Sequence, residues 1–505
     1  MSTPPSALQA PDGGPLDIAA LVDALSGDFA VSRGSRQVVR RTRLDTFDRR
    51  LHAAGLTLEH QVAPAGERLV LTGPPATSTI VAHVRDLRWP THPAALPESP
   101  VRDAVAPVAS IRALLVVSDE KRRVRRLELR NRDEKTVARL ELDEPASTST
   151  RPGQITVHAL RGYEDQARRV TRLLIDVGLQ PVADIDEPMA REAPTVDPDR
   201  DASATALIAG ELSEFLAAMR DNLPGLLDDV DTEFLHDFRV AVRRTRSTLK
   251  LGRPALPAVM RSRWEPAFKW LGDLTTPVRD LDVYELDLPA MSSWLVAAEA
   301  DDLAPFADHL RRRRTIERRA LVRGLKSARF QRLVTNWERA LAGLARAAHD
   351  KDPRQESLSA GELADRSISR AYRRVARGGA AISASSPAED LHELRKRCKE
   401  LRYALEVFAP VIDKESRKRA VADLKALQDV LGRFQDSEVQ RHSLREFAEE
   451  MMAGGTPAEV VLAMGELVGH LDADQDRARQ DFDGTFARFV RPASDRRLQQ
   501  LGGRR

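Results

Sequence analysis

The sequence predicts an α+β multidomain protein, with a strand-rich N-terminal domain followed by an all-α C-terminal domain of two pseudosymmetric four-helix bundles. Three observations carry this. Up to about residue 185, short stretches rich in β-branched residues or alternating in polarity recur. From Ala202 almost to Arg488, apolar residues repeat at spacings of three and four. Within that helical part, Leu235–Val283 aligns without gaps with Leu391–Val439 at a constant offset of 156, with 13 of 49 positions identical. Chance at one offset would give about three to five.

The elements follow in order. Residues 1–29 read as a flexible N-terminal lead with a short apolar helix candidate at Leu16–Leu25. Strands are expected at Arg36–Leu44, Arg68–Thr72, Ile111–Val117, Val124–Leu129, Thr136–Asp143 and Gln154–Leu160, and short helices at Asp45–Gly55 and Tyr163–Gly178. Residues 186–201 form a Pro-rich, acidic stretch without periodicity and read as a linker. The helical domain is expected at 202–495, with repeat halves near 205–340 and 360–490 and breaks near Pro224, Pro254, Gly378–Gly379 and Gly454–Pro457. Residues 496–505 are expected to be a disordered tail, with fraying from Pro492.

Composition removes several classes. No apolar run reaches the roughly 18–20 residues that span a bilayer. The first residues have neither the basic start nor the apolar stretch of a signal peptide. The one cysteine, Cys398, excludes an intramolecular disulfide and a cysteine-based zinc site. These features lead to the expectation of a cytoplasmic protein without a membrane partner. The net charge is only +3, from 79 basic against 76 acidic residues, so a polyanion partner depends on how the cations are sorted in space.

They are sorted along the repeated helix. His236, Arg239, Arg243, Arg246 and Lys250 fall at i, i+3, i+7, i+10 and i+14, one cationic stripe. The second copy carries His392, Arg395, Lys399 and Arg402 at the same spacing. An apolar stripe runs beside each (Leu235, Phe238, Val242, Leu249; Leu391, Leu394, Cys398, Leu401, Leu405) and must face the core. The bland reading is a solvated face laced with surface ion pairs. Against it, the same residue types recur in both halves, and Asp237, Glu393 and Glu400 lie off the stripe, so each row would repel itself without an anion. Two such rows across a two-fold axis would line one groove. Lys269 and Lys425 would extend it, while Asp280 and Asp436 would orient its cations by charge-assisted hydrogen bonds or serve as helix-end caps. The histidines would bond an anion or tie the helix to its neighbour.

The segments LHDFRVAVRRTRSTLK (235–250), WLGDLTTPVRDLDVY (270–284), LHELRKRCKELRYALEVF (391–408) and LKALQDVLGRFQDSEV (424–439) resemble the CHAD (conserved histidine α-helical) domain. The resemblance implies two pseudosymmetric bundles around a basic channel for inorganic polyphosphate. It implies phosphate contacts by His236, Arg239, Arg243, Arg246, His392, Arg395, Lys399 and Arg402, with Arg244, Lys396, Lys269 and Lys425 beside them. RRTRLDTFDRRLHAAGLTLE (40–59), ARLELDE (138–144) and RGYEDQARRVTRLLIDVGLQP (161–181) resemble the CYTH domain, the triphosphate-tunnel fold, over residues 30–185. This implies a mainly antiparallel, barrel-like N-terminal domain. The metal-binding signature E-x-E-x-K of that family is missing; the region reads VSRGSRQVVRR. Without those carboxylates a degenerate barrel is expected, with Arg40, Arg41, Arg43, Arg112, Arg125 and Arg130 either binding an anion or standing on an exposed sheet face.

The leading expectation is therefore a non-catalytic polyphosphate binder with no catalytic residue, cofactor or metal, associated with polyphosphate granules or polyphosphate-metabolising enzymes. Two alternatives stay open: a metal-dependent tri- or polyphosphatase using the N-terminal domain, and a nucleic-acid-binding protein using the same groove. Aromatic residues make up 5% of the chain, which disfavours base stacking.

Overall fold

A computed structural model describes residues 6–11, 14, 16–73, 79–146, 152–182, 199–349 and 358–501. The chain divides into two compact units, Met1–Ala193 and Pro194–Arg505. Most of the expected linker lies outside the described residues.

The first unit is built on nine antiparallel strands: β1 (Ser6–Gln9), β2 (Ala30–Asp45), β3 (Thr57–Ala63), β4 (Gly66–Thr72), β5 (Ile80–Val84), β6 (Leu115–Arg130), β7 (Thr136–Pro145), β8 (Gln154–Ala159) and β9 (Gln180–Pro181). They form one sheet in the order β5-β4-β3-β2-β6-β7-β8-β1-β9. Four helices accompany it: α1 (Ile18–Ser26), α2 (Arg50–Ala53), α3 (Pro100–Ala109) and α4 (Glu164–Asp176). Two apolar clusters hold the sheet. One joins α1 and α4 to β1, β7, β8 and the end of β6; the other joins α2 and α3 to β3, β4 and β5.

Three expectations change here. Residues assigned to a flexible lead include a paired strand, β1, and α1, which Asp17 caps by accepting from the Ala19 and Ala20 amides. The two strands expected at Ile111–Val117 and Val124–Leu129 are one, β6. Its charged middle, Ser118–Arg123, pairs with β2, where Arg40 donates to Asp119 at 2.6–3.1 Å; cross-strand ion pairs supply what apolar alternation does not. The 45–55 segment turns because the Asp45 carboxylate accepts from the amides of Thr46, Leu51 and His52 at 2.7–3.0 Å, which leaves only one turn of helix, α2.

The second unit is all-helical: α5 (Ala204–Asp228), α6 (Thr232–Leu251), α7 (Ala258–Ser292), α8 (Ala304–Leu325), α9 (Ala328–His349), α10 (Ala360–Ala380), α11 (Ala388–Val407), α12 (Lys414–Ala453), α13 (Ala458–Phe489) and α14 (Pro492–Leu501). The described helices number five in each half, α5–α9 and α10–α14, one more than the expected four. Of the residues expected to fray after Pro492, those up to Leu501 instead form α14, which packs on α10 and α12; residues 502–505 lie outside the described residues. Pro224 and Gly378–Gly379 do not break their helices; the glycines lie inside α10 because Arg397 and Phe486 press against that face.

The repeat is written into the geometry. α5 and α10, α6 and α11, and α7 and α12 each begin at the same offset of 156. Ser203 and its counterpart Ser359 form an antiparallel bridge, in which Ala204 N donates to Leu358 O (3.1 Å) and Ala360 N to Ala202 O (2.7 Å). Tyr284 Oη donates to the carbonyl of its own counterpart, Gln440, at 3.0 Å. A residue that bonds its own repeat partner must sit beside the pseudo-two-fold axis. One apolar cluster, from Leu281 and Tyr284 through Phe306, Phe447 and Leu471, then fuses the two halves.

Candidate functional site

The axis passes where α6 and α11 cross. Arg244 donates to Glu406 at 3.0 Å and Lys250 to Glu400 at 3.5 Å. Glu400 is the counterpart of Arg244 and Glu406 that of Lys250, so two symmetry-related ion pairs of opposite polarity clamp the crossing. The apolar stripes face the core as expected: Leu235, Phe238, Val242, Leu249, Leu391, Leu394, Cys398, Leu401 and Leu405 are all buried.

Beside the crossing lies a cavity of about 270 Å³ lined by Val240, Arg243, Arg244, Arg395, Lys399, Arg402, Tyr403, Glu406 and Gln428. Five of the twelve candidate cations thus come together from both halves. Arg243 and Lys399 are repeat counterparts and face one another closely enough to interact. Burial first, then the Arg395 and Arg243 guanidiniums, push the Lys399 ammonium down to about 8. An ammonium disfavoured by burial and by like-charged neighbours would gain from an anion beside it.

Other candidates surround this centre. Arg239 is fixed to α7, donating to Thr275 Oγ1 and Thr276 Oγ1 (both 2.9 Å) and to Gly272 O (3.3 Å); burial lowers its pKa. Its counterpart Arg395 instead pairs with Asp436 at 3.0 Å, so Asp436 orients an arginine directly. Asp280 faces Arg239 and Arg279, while burial pushes its carboxyl above the usual range. Arg246 is exposed and lies over Gly272, where an added Cβ would sit 3.3 Å from its guanidinium. His236 is half-buried; burial, then Arg279, push its pKa down. His392 Nδ1 lies 2.5 Å from Gln435 Oε1 and lines a separate cavity of about 460 Å³ with Glu438, Arg441 and His442.

The stripe is less bare than its spacing implies. Glu406 holds Arg402 as well as Arg244, Lys396 pairs with Glu393 at 2.6 Å, and Lys269 pairs with Asp273 at 2.8 Å; Glu400 takes Arg374 besides Lys250. Lys269 and Lys396 are therefore exposed surface pairs outside the central cavity, and exposed Lys425 lies outside it too. Sequence reasoning missed Tyr403, Gln428 and Glu406 as lining residues, and Arg279 as the cation facing His236. Their repeat counterparts are Ser247, Gly272, Lys250 and Gln435, so identity between halves, the signal that found the others, is silent on them. Asp282 is buried against Arg314 at 2.6 Å and serves packing.

The sheet of the first unit carries its own charged layer. Arg41 is ringed by Glu59 (3.4 Å), Glu141 (2.8 Å) and Asp143 (3.2 Å), and Arg122 by Asp143 (2.7 Å) and Glu120 (3.3 Å). A divalent cation of the kind used in triphosphate tunnels needs free carboxylates. Here a guanidinium already sits among them, so these residues do not fit that metal. Among the described residues no group of three or more His, Cys, Asp or Glu side chains is placed to hold one. Arg112 is not on an exposed face: it is buried, 3.7 Å from Asp48 and over the Phe47 ring.

Fold and site together define a pseudosymmetric helical repeat with a cation-lined cavity beside the crossing of α6 and α11. Residues 211–445 match the family model of the CHAD domain, and the chain carries that domain. It is 31% identical over 278 residues to an uncharacterized protein of Mycobacterium tuberculosis, a match covering 52% of this chain and 49% of that protein, so the chain spans about half the length of the curated relatives it matches. The crystal structure of the CHAD domain from the plant Ricinus communis is 25% identical, covering 59% of this chain and 96% of that one with a TM-score of 0.48. A protein from Hippeastrum for which a dominant triphosphatase activity is described is 17% identical, covering 34% of this chain and 84% of that one with a TM-score of 0.24. Among the described residues no helix is long and apolar enough to cross a membrane.

Proposed function

We propose that the helical unit binds inorganic polyphosphate, without catalysis, in the groove where α6 and α11 cross. The observation that carries this is the meeting of Arg243, Arg244, Arg395, Lys399 and Arg402 from both repeat halves in one cavity, where burial and then its cationic neighbours disfavour the Lys399 ammonium. Arginine forks bind phosphate oxygens in pairs and lysine supplies a point charge. Cations set along two crossing helices suit a linear ligand carrying about one charge per internal phosphate, and its affinity would fall steeply with salt, as for nucleic acids. Tyr403 alone among the cavity's lining residues is aromatic, which argues against stacked bases. Glu59, Glu120, Glu141 and Asp143 on the sheet are paired with Arg41 and Arg122, which argues against their holding the metal of a phosphatase. Association with polyphosphate granules or with polyphosphate-metabolising enzymes belongs to the same proposal.

Titration of the full chain with long-chain polyphosphate, in competition with labelled RNA, tests the reading. Polyphosphate should bind and displace RNA far better than the reverse. RNA that displaces polyphosphate equally well would refute it.

A further inference from the structure

The cavity already contains an anion of its own. Glu406 Oε1 accepts from Arg402 Nε at 2.5 Å, and Oε2 accepts from Arg244 Nη2 at 3.0 Å, so one half-buried carboxylate ties together arginines from both repeat halves. Behind it, Glu211 shares a small cavity of about 40 Å³ with Phe215, Arg244, Thr248, Tyr403 and Glu406. Burial pushes the Glu211 carboxyl up to about 7; Arg244 pulls it down, while Glu214 and Glu406 push it further up. Arg244 therefore lies between two carboxyl groups, Glu406 and the partly neutralised Glu211. The symmetric pair is Lys250 with Glu400. It clamps the same crossing, but neither of its members lines the groove.

A ligand entering the groove has to take Arg244 and Arg402 away from this carboxylate. A lone phosphate that did so would exchange one anion for another and gain little. A chain that also reaches Arg243, Arg395 and Lys399 would recover the loss several times over. We infer that Glu406 is a specificity-determining residue, an internal counter-anion that excludes single phosphates and very short chains and admits long ones. The inference rests on polyphosphate being the ligand of the groove.

The test is a calorimetric titration of the full chain with orthophosphate, tripolyphosphate and long-chain polyphosphate at one ionic strength, for the wild type and Glu406→Gln. Freed of its carboxylate, the variant should bind tripolyphosphate on the order of 10-fold more tightly, with a smaller gain for long chains, so that the long-to-short ratio narrows. Glu406→Asp keeps the charge at the crossing but shortens its reach and should move the ratio the same way by less. Glu400→Gln breaks the symmetric clamp outside the cavity and should leave the ratio alone. An unchanged ratio in both Glu406 variants, or an equal change in Glu400→Gln, would overturn the assignment and leave Glu406 a structural clamp. Failure of the wild type to bind long chains would instead sink the groove reading itself, and this inference with it.

Discussion

Lys399 offers the sharpest handle on the groove. Its ammonium is held near 8 by burial and by Arg395 and Arg243, against an ordinary 10.5. A polyanion beside it would restore the ordinary value. Full restoration would correspond to about 3 kcal/mol at 1.36 kcal/mol per pH unit. The side chain is only partly shielded, so solvent screening reduces this to roughly 1–1.5 kcal/mol, or ~10-fold in affinity. The sign follows from the direction. Below pH 8 the ammonium is charged with or without ligand; between about 8 and 10.5 binding must draw in a proton, so affinity falls as pH rises. Polyphosphate affinity should drop ~10-fold from pH 7 to 9.5 at constant salt, with proton uptake visible as a buffer-dependent heat. Lys399→Gln should bind more weakly at pH 7 and show a flat profile. The same depression costs the free protein stability at neutral pH, and that cost should fade as pH rises through 8 towards 10.5. A flat wild-type profile, or the same fall in Lys399→Gln, would refute the reasoning.

Three further outcomes are expected. Burial pushes the Cys398 thiol up to about 12, so in the folded chain it should resist iodoacetamide at pH 8 and react only on denaturation, as mass spectrometry would show. Gly379→Ala would drive a Cβ into the Phe486 ring, and overpacking of about 1–3 kcal/mol should lower the melting temperature. Arg41→Met would leave Glu59, Glu141 and Asp143 without their shared cation, a loss of about 3–5 kcal/mol in urea denaturation at pH 7. Although burial pushes it up, Arg41 and Arg126 hold the Glu141 carboxyl below its usual range, so its contribution is present above that range and lost as pH falls through the lowered value; the variant's deficit should therefore shrink in acid.

Much of the helical unit was legible because its signals are local or repeated. The periodicity placed the helices, and the shared Leu235/Leu391 and Arg246/Arg402 pattern marked equivalent faces without any view of the fold. The symmetric bridge at Ser203 and Ser359 then fixes the axis that an offset alone only implies. What stayed hidden lies where the halves differ. Glu406 stands opposite Arg244 across the axis, and only the crossing of two helices 156 residues apart reveals that it neutralises the stripe. In the sheet unit, the sequence pattern divides β6 in two because its centre is charged, and those charges are satisfied by β2 some 80 residues earlier. β1 and β9 are so short that alternation carries no information in them.

The central claim is that the cations meeting at the axis hold a polyphosphate chain. The most direct measurement is a titration of the full chain with long-chain polyphosphate at several salt concentrations, for the wild type and for Arg243→Ala combined with Lys399→Ala. The wild type should bind with an affinity that falls steeply as salt rises. The double variant should lose on the order of 100-fold at low salt and show a shallower slope, since two cations no longer release counterions. Equal affinity and equal slope in both proteins would contradict the account.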